Sequence, residues 1–347
     1  MLKLDALIFD IDGVLLDVSE SYRSAIRQTV QIYFEQVLGL APCEGELVSR
    51  EEVAAFKLAG GFNNDWDLAA GIAEYFVAML DAPQGTRARA ASIPEIIAFL
   101  RRAGKGIETT AADLQREKDI PAFAATLRAE GGGLGAVRKF LGDRNAHLLF
   151  TEGDPRETNL VKRIFEEVYL GEELFRTEYG EPPRIHPGEG LIRRERLIPN
   201  PELLATLSKK VPLGIATGRP RHQATYALER AGVAAFFRAL VTYDDVLNAE
   251  QQQVAATGAR VHLGKPHPYS LLEAAQRIAP ANARCAYIGD TLDDVRAANA
   301  AKSEMDFISI ACLAPWEDKP AMRREFERAG ADVIVRNPDE LKDLIGL

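Results

Sequence analysis

Residues 4–14 read LDALIFDIDGV and indicate the class of fold. The first part, residues 4–9, is a short and almost wholly apolar run that ends in acidic residues. This pattern is typical of a strand that is buried on both faces of a parallel sheet. Two carboxylates, Asp10 and Asp12, follow the strand with one residue between them, and Gly13 allows a sharp turn after them.

Similar apolar runs recur late in the chain, where they alternate with helical patterns. Strands that alternate with helices predict βαβ units, and therefore an α/β fold with a doubly wound, Rossmann-like parallel sheet. The expected strands cover residues 211–217, 239–242, 285–288, 307–312 and 332–335. The expected helices between them cover residues 220–231, 268–278 and 293–301.

The long interval between these two regions has helical periodicity and lacks a convincing buried strand. A helix is expected over residues 19–38, and a second over residues 49–58, where Ser49 and Glu52 have the spacing of a capping box. The sequence therefore predicts a core made of residues 1–17 and 198–347, divided by an enlarged all-α insertion at residues 18–197.

In a doubly wound sheet, ligands bind beyond the carboxyl ends of the strands, so the residues after each strand are the candidate site. Asp10 and Asp12 are the first of these. Carboxylates this close repel one another unless a cation lies between them, which favours a metal site, an acid–base pair, or both. A charged strand end that caps a turn is the alternative.

Thr217, Gly218 and Arg219 follow the second strand, and Pro220 suits the first position of the next helix. A hydroxyl and free N–H groups at a helix N-terminus favour an anion, although an ordinary threonine cap gives the same pattern. Lys265, between a glycine and a proline, could supply a point charge to phosphate, whereas most loop lysines face water.

Asp290 and Asp294 follow a later strand and lie four residues apart, which places them on one face of a helix. Hard oxygen ligands of this kind suit magnesium. Asp293 is a competing ligand candidate, or a charge that stabilises the first helical turn.

Together these residues resemble the haloacid dehalogenase-like superfamily, over residues 1–17 and about 198–347. The four motifs of that family correspond to Asp10-Ile11-Asp12-Gly13, Thr217-Gly218-Arg219, Lys265 and the segment 289–294. The resemblance implies a magnesium-dependent phosphatase, with a phosphomutase of the beta-phosphoglucomutase type as the alternative and a noncatalytic binding or regulatory protein as a third possibility.

The resemblance also implies residue roles. Asp10 would be the nucleophile that forms an aspartyl-phosphate, and Asp12 the acid and base. The magnesium ligands would be Asp10, the backbone carbonyl of Asp12, Asp290 and, directly or through water, Asp294. The phosphoryl oxygens would be held by Thr217, Gly218 and Lys265. The position of Arg219 and Arg221 after this phosphate-binding segment, and not the resemblance, suggests that they bind a second anionic group or lie on an exposed helix face.

The insertion lies where the family carries a cap domain, but it is much larger than a simple helical cap. In capped members a loop between the first cap helices reaches the substrate, and here Lys57, Asn63 and Asn64 would contact a polar leaving group. Alternatively, Phe62 and Trp66 pack inside the cap while the asparagines cap a helix.

Composition narrows the possible partners. The net charge of −9 disfavours a nucleic acid or an anionic membrane surface as partner. The partner that the resemblance implies is a small phosphorylated metabolite. The three cysteines form no CxxC pair and no apolar run is long enough for a membrane helix. The histidines have no zinc-site spacing. A cytoplasmic protein is therefore expected.

Overall fold

The computed structural model describes residues 2–62, 64–86 and 92–346. The chain folds into two compact units. The described residues up to Val18, together with those from Glu195 onward, form the core unit, and Ser19–Arg194 form the inserted unit.

Eight strands lie in the core unit. They are β1 (Ala6–Phe9), β2 (Leu16–Asp17), β3 (Arg196–Leu197), β4 (Leu213–Ala216), β5 (Phe237–Val241), β6 (Arg284–Gly289), β7 (Asp306–Cys312) and β8 (Val333–Val335). Six of them form a parallel sheet in the order β5-β4-β1-β6-β7-β8, while β2 and β3 pair as a short antiparallel ribbon. All six predicted strands are confirmed, with ends within two residues of those expected.

Strand β1 is central to the sheet because it pairs in parallel with β4 on one side and with β6 on the other. Its four residues are fully buried, as the apolar run predicted. The chain passes from β1 to β4 and β5 and then returns to β6, so the strand order reverses between β1 and β6. This topological switch point places the residues that follow β1 and β6 at the usual ligand crevice.

The described residues of the inserted unit contain helices and no strand. The α-helices are α1 (Tyr22–Ile32), α2 (Arg50–Ala59), α3 (Asp65–Met79), α4 (Ile93–Gly104), α5 (Ala111–Glu117), α6 (Ile120–Ala129), α7 (Gly133–Leu141) and α8 (Leu160–Tyr179). Helix α1 continues into a π-helical turn, Tyr33–Val37, before Gly39. The capping box of α2 is present as predicted, because Ser49 and Glu52 each bond the other's backbone N–H.

Aromatic side chains hold the inserted unit together where α1, α3 and α8 meet. Tyr22 stacks on Tyr169 with ring centroids 4.1 Å apart, and Trp66 makes an edge contact with Phe165. Buried aromatic pairs of this kind stabilise a packing arrangement beyond the area they bury. These contacts belong to the apolar core of the inserted unit.

Seven α-helices lie among the described residues of the core unit. They are α9 (Pro201–Lys210), α10 (Arg221–Arg230), α11 (Tyr243–Thr257), α12 (Tyr269–Ile278), α13 (Leu292–Ala301), α14 (Lys319–Ala329) and α15 (Leu341–Ile345). Helices α11, α12 and α13 contact strands of the sheet. Helices α10, α12 and α13 confirm the three helices expected from the sequence. No described helix is both long and apolar enough to cross a membrane.

Candidate active site

Asp10 lies directly after β1 and is only 6% exposed. Its Oδ1 accepts a 2.8 Å hydrogen bond from the backbone N–H of Ile11. Burial raises the pKa of Asp10 to about 6, because the positive charge of Lys265 offsets only part of the desolvation and the charges of Asp294 and Asp12 add to it. The site thus contains a buried carboxyl group whose pKa is raised well above its ordinary range.

Asp290 and Asp294 approach Asp10 from the end of β6. One oxygen from each of the three carboxylates lies within 4.8 Å of the other two, and all three residues are buried. Gly13 makes this approach possible, since its φ is +71° and a Cβ atom there would lie 2.7 Å from Cγ of Asp290. Three buried carboxylates this close could hold a divalent cation.

Both oxygens of Asp294 already accept hydrogen bonds. Oδ1 accepts from Lys265 Nζ at 2.7 Å and from the Tyr287 hydroxyl at 2.9 Å. Oδ2 accepts from the backbone N–H of Asp290 at 3.1 Å and from the N–H and hydroxyl of Thr291 at 2.9 and 2.7 Å. Asp294 therefore links the start of α13 to Lys265 through hydrogen bonds and holds the backbone of Asp290 in place.

Asp293, the competing ligand candidate, is not one of the three clustered carboxylates. Its carboxylate pairs with Arg296 on the next turn of α13 at 2.9 Å.

Burial raises the pKa of Asp294, but the charge of Lys265 and the hydrogen bonds from Lys265 and Thr291 outweigh burial and hold the pKa below its ordinary value. Asp294 is thus an ionised partner for the lysine.

Lys265 is largely buried beside the carboxylates and is not a solvent-facing loop lysine. Its Nζ lies 2.7 Å from Oδ1 of Asp294 and 3.3 Å from Oδ2 of Asp10. Burial lowers the pKa of Lys265, but the charges of Asp10 and Asp294 raise it by more, so that the pKa lies above its ordinary value. Lys265 places a permanent positive charge next to Asp10.

Tyr287 belongs to the same network, although the sequence motifs did not indicate it. Its hydroxyl lies 2.7 Å from Lys265 Nζ, 2.9 Å from Asp294 Oδ1 and 3.2 Å from the carbonyl oxygen of Ala216. The residue is 1% exposed. A tyrosine inside an otherwise apolar buried strand was the available signal, because a buried hydroxyl needs a polar partner.

We expect Tyr287→Phe to lower the free energy of unfolding by about 1–2 kcal/mol, because Lys265 and Asp294 lose a shared partner while buried. Urea unfolding of the two proteins would measure the difference. Tyr269→Phe, which removes a hydroxyl from the partly exposed start of α12, is the matched control. Equal stability of Tyr287→Phe and the wild type would show that the hydroxyl adds nothing to the network.

The segment after β4 brings Thr217 to the same edge of the sheet. Its N–H donates to the carbonyl of Val241 at 3.0 Å, and its hydroxyl accepts from the N–H of Arg219 at 3.3 Å. Pro220 lies at the N-cap of α10, one position earlier than expected. Thr217, Gly218 and the N-terminus of α10 thus follow one another closely, as an anion site requires.

The prediction that Arg219 lies on an exposed helix face is wrong, since Arg219 is only 2% exposed. Its guanidinium forms ion pairs with Asp12 and with Glu195, so its charge is directed at carboxylates of the protein. Arg221 does lie on the surface and pairs with Asp245. Glu195 had no motif around it and was not indicated by the sequence.

A model of the haloacid dehalogenase-like hydrolase family matches residues 4–302. The chain belongs to this hydrolase family. The match includes the Asp10, Thr217, Lys265 and Asp290 segments, which the resemblance in sequence had already indicated.

Curated relatives of this haloacid dehalogenase-like hydrolase include two phosphatases. An N-acetylmuramic acid 6-phosphate phosphatase of Pseudomonas aeruginosa is 32% identical over 146 residues, which is 42% of this chain and 55% of that protein. A phosphoglycolate phosphatase of Escherichia coli K12 is 29% identical over 140 residues, which is 39% of this chain and 46% of that protein. The chain therefore spans about half the length of the curated relatives it matches.

A crystal structure of a structural-genomics target has a similar fold. It superposes with a TM-score of 0.62 at 20% identity and covers 99% of this chain and 98% of its own. At that identity the likeness concerns the fold alone. It covers the inserted unit of this hydrolase as well as the core unit.

The residues of the inserted unit that were expected at the substrate have local partners. Lys57 Nζ lies 3.6 Å from Oδ1 of Asp65. Asn64 is at the N-cap position of α3, but its side chain makes no capping hydrogen bond and its amide donates to Asp67 at 3.2 Å. Asn63 lies outside the described residues.

The packing alternative fits two aromatic residues of this loop. Trp66 is buried and contacts Phe165, and Phe62 makes an edge contact with Phe56. These contacts account for the aromatic residues without a substrate.

Proposed function

We propose that this chain is a magnesium-dependent phosphatase that hydrolyses a small phosphorylated metabolite through an aspartyl-phosphate on Asp10. The observation that carries the proposal is the setting of this carboxylate. Oxygens of Asp290 and Asp294 lie within 4.8 Å of it, and Lys265 Nζ lies 3.3 Å from it. A carboxylate nucleophile in phosphoryl transfer needs positive charge beside it, because it must approach an anionic ester. Lys265 supplies one positive charge, and the three carboxylates could hold a metal cation that supplies more.

The donor set fits magnesium. Magnesium prefers a few carboxylate oxygens and retains several waters. Asp10 and Asp290 would ligate the ion through their side chains and Asp12 through its backbone carbonyl, while Asp294, whose oxygens accept five hydrogen bonds, would hold Asp290 in position. When bound, magnesium would offset the negative charges of Asp10 and of the phosphoryl group.

The proposed reaction has two displacements at phosphorus. In the first, a carboxylate oxygen of Asp10 bonds to phosphorus while the ester P–O bond breaks, and Asp12 gives its proton to the leaving oxygen. In the second, water attacks phosphorus, Asp12 takes a proton from it, and the bond to Asp10 breaks to release phosphate. The Thr217 hydroxyl, the Gly218 N–H and Lys265 would hold the phosphoryl oxygens in both steps.

The names of two relatives support the substrate class. One is named for N-acetylmuramic acid 6-phosphate and the other for phosphoglycolate, and both compounds are small phosphate esters of acids. A small phosphorylated metabolite is therefore the proposed partner of this chain as well.

A phosphate-release assay on a panel of phosphorylated sugars, polyols and small carboxylic acids, including those two esters, tests the proposal. We expect release with magnesium and none after chelation. Interconversion of sugar phosphates, without release, after priming with a bisphosphate would favour the mutase alternative. Failure to bind magnesium or beryllofluoride, together with no turnover, would favour a noncatalytic protein.

We expect magnesium affinity to depend on pH because protons compete for Asp10. Burial raises the pKa of this carboxyl to about 6 in the metal-free protein. The metal binds the ionised form, so the dissociation constant should be constant above neutral pH and rise about tenfold per pH unit below pH 6.

Trp316 offers a readout that does not need turnover, because its indole N–H donates to the backbone carbonyl of Asp290 at 2.8 Å. Its fluorescence, measured in a Trp66→Phe background, would follow magnesium titrations between pH 5 and 8. Asp290→Asn is the control for metal binding at this site. An affinity that stays constant from pH 5 to 7 would contradict the role of Asp10 as a ligand.

A further inference from the structure

Arg219 lies between two carboxylates inside the core unit. Its side chain is 1% exposed, that of Glu195 is 2% exposed and that of Asp12 is 18% exposed. A buried guanidinium needs a negative partner to offset its desolvation, and Glu195 supplies one. Asp12 is then a second carboxylate on the same guanidinium, at the edge of the site.

The guanidinium of Arg219 is hydrogen-bonded to a carboxylate on each of two sides. On one side, Nη1 and Nη2 of Arg219 each lie 3.0 Å from an oxygen of Glu195, which is a bidentate pair. On the other side, Nε donates to Oδ1 of Asp12 at 2.9 Å, and Nη2 donates to the same oxygen. Four of the five N–H bonds of the guanidinium are used in this way.

The backbone groups of Arg219 and Glu195 are held by further hydrogen bonds within the core unit. The N–H of Arg219 donates to the hydroxyl of Thr217 at 3.3 Å, and its carbonyl accepts from the N–H of Tyr243 at 3.0 Å. The carbonyl of Glu195 accepts from Nη1 of Arg230 at 3.1 Å. Because Arg219 and Glu195 are both held in place, the planar guanidinium of Arg219 has little freedom. It can therefore fix the orientation of Asp12.

Hydrogen bonds to the Asp12 carboxylate converge on one oxygen. In the part of the chain that the structure describes, the recorded hydrogen bonds of this carboxylate are those that Arg219 donates to Oδ1. Oδ2 then remains for proton exchange.

We propose that Arg219 and Glu195 are positioning residues for Asp12: Glu195 fixes the guanidinium, and the guanidinium holds Oδ1 so that Oδ2 exchanges the proton with the ester oxygen and with water. The inference rests on the proposed phosphatase function. It replaces the expectation that Arg219 binds a second anionic group of the substrate, because its N–H bonds are directed at Asp12 and Glu195.

Two esters with different leaving groups can show whether Arg219 and Glu195 act through Asp12 or only support the structure. An alkyl phosphate needs a proton on its leaving oxygen, whereas 2,4-dinitrophenyl phosphate releases a stable anion without one. Glu195→Gln and Arg219→Lys should therefore lower kcat/KM for an alkyl phosphate by about 100-fold, within the usual range for acid catalysis. The same variants should lower kcat/KM for dinitrophenyl phosphate by less than about 5-fold. The value of kcat/KM reports the first displacement, and in that step the dinitrophenolate leaves without a proton from an acid.

A burst of dinitrophenolate gives a second signature. Water attack also uses Asp12, so the variants should form the aspartyl-phosphate normally and hydrolyse it slowly. Rapid mixing should show about one equivalent of product followed by a slow steady state, as in covalent catalysis with a slow second step. Arg221→Gln, a neighbouring arginine on the surface, is the control and should behave as the wild type does.

Three results would overturn the inference. One is an equal loss of kcat/KM on both esters, which indicates a structural role. Another is the absence of a burst in both variants when circular dichroism and melting show that they are folded. The third is a rise in KM confined to substrates with a second anionic group, which would make Arg219 a substrate ligand. If the wild type releases no dinitrophenolate with magnesium, the phosphatase proposal itself fails, and that outcome is distinct from these three.

Discussion

Asp10→Asn is expected to lower phosphate release by at least about four orders of magnitude, as loss of a covalent nucleophile typically does. The amide keeps the shape of the carboxylate but cannot attack phosphorus. It also cannot carry the charge that would bind magnesium. The phosphate-release assay with the best substrate of the panel measures the loss, and residual activity within tenfold of the wild type would contradict an aspartyl-phosphate mechanism.

The same substitution should stabilise the metal-free protein, which separates loss of chemistry from loss of fold. The pKa of Asp10 rises from an ordinary 3.8 to about 6 on folding, chiefly through burial. A raised pKa means that the folded wild type binds the proton more tightly than the unfolded chain, so its stability falls as pH rises from about 4 to 6. Asparagine does not ionise and escapes this loss.

Urea unfolding of chelator-treated proteins at several pH values tests the sign. The variant should gain up to about 3 kcal/mol over the wild type above pH 6, and the gain should vanish below pH 4. Excess magnesium should reverse the order, since the ion stabilises the wild type alone. A variant that is less stable at every pH would show that the carboxylate is favourably paired without metal.

Much of the fold follows from local sequence. Residues 6–9 are apolar without interruption and fully buried, and that property suits the central position of β1, which has a strand on each side. The carboxyl ends of parallel strands and the starts of the helices that connect them lie at one edge of the sheet. Asp10 and Asp290, which follow strands, and Lys265, which precedes α12, could therefore be expected together although they are far apart in the chain.

Other contacts of the site depend on tertiary geometry that no local pattern encodes. Arg219 precedes a helix and has the local sequence of a surface residue, yet its partner Glu195 lies 24 residues earlier and buries it. The Tyr287 hydroxyl likewise contacts residues on separate segments, including Lys265. Propensity and periodicity identify the elements, whereas these pairings are set by the distances between elements.

Lys265→Met is expected to remove most activity and also to destabilise the fold. The lysine offsets two buried carboxylates, since its Nζ lies 2.7 Å from Asp294 and 3.3 Å from Asp10. Removal of one partner from a buried ion pair costs about 3–5 kcal/mol, because the remaining charge is left without compensation. Urea unfolding of the metal-free proteins at pH 8 measures this loss, with the exposed Lys209→Met at the end of α9 as control.

The pH dependence of this deficit identifies its cause. Lys265 holds the pKa of Asp294 below its ordinary value, so the stability that Asp294 gains from the lysine is present above that value and is lost as pH falls. The difference between Lys265→Met and the wild type should therefore shrink below pH 4, where the carboxylates take up protons. Magnesium should restore part of the stability at pH 8 but little phosphate release, because the metal replaces the charge of the lysine and not its hydrogen bond to a phosphoryl oxygen. A deficit that is independent of pH would instead indicate that the side chain contributes only packing.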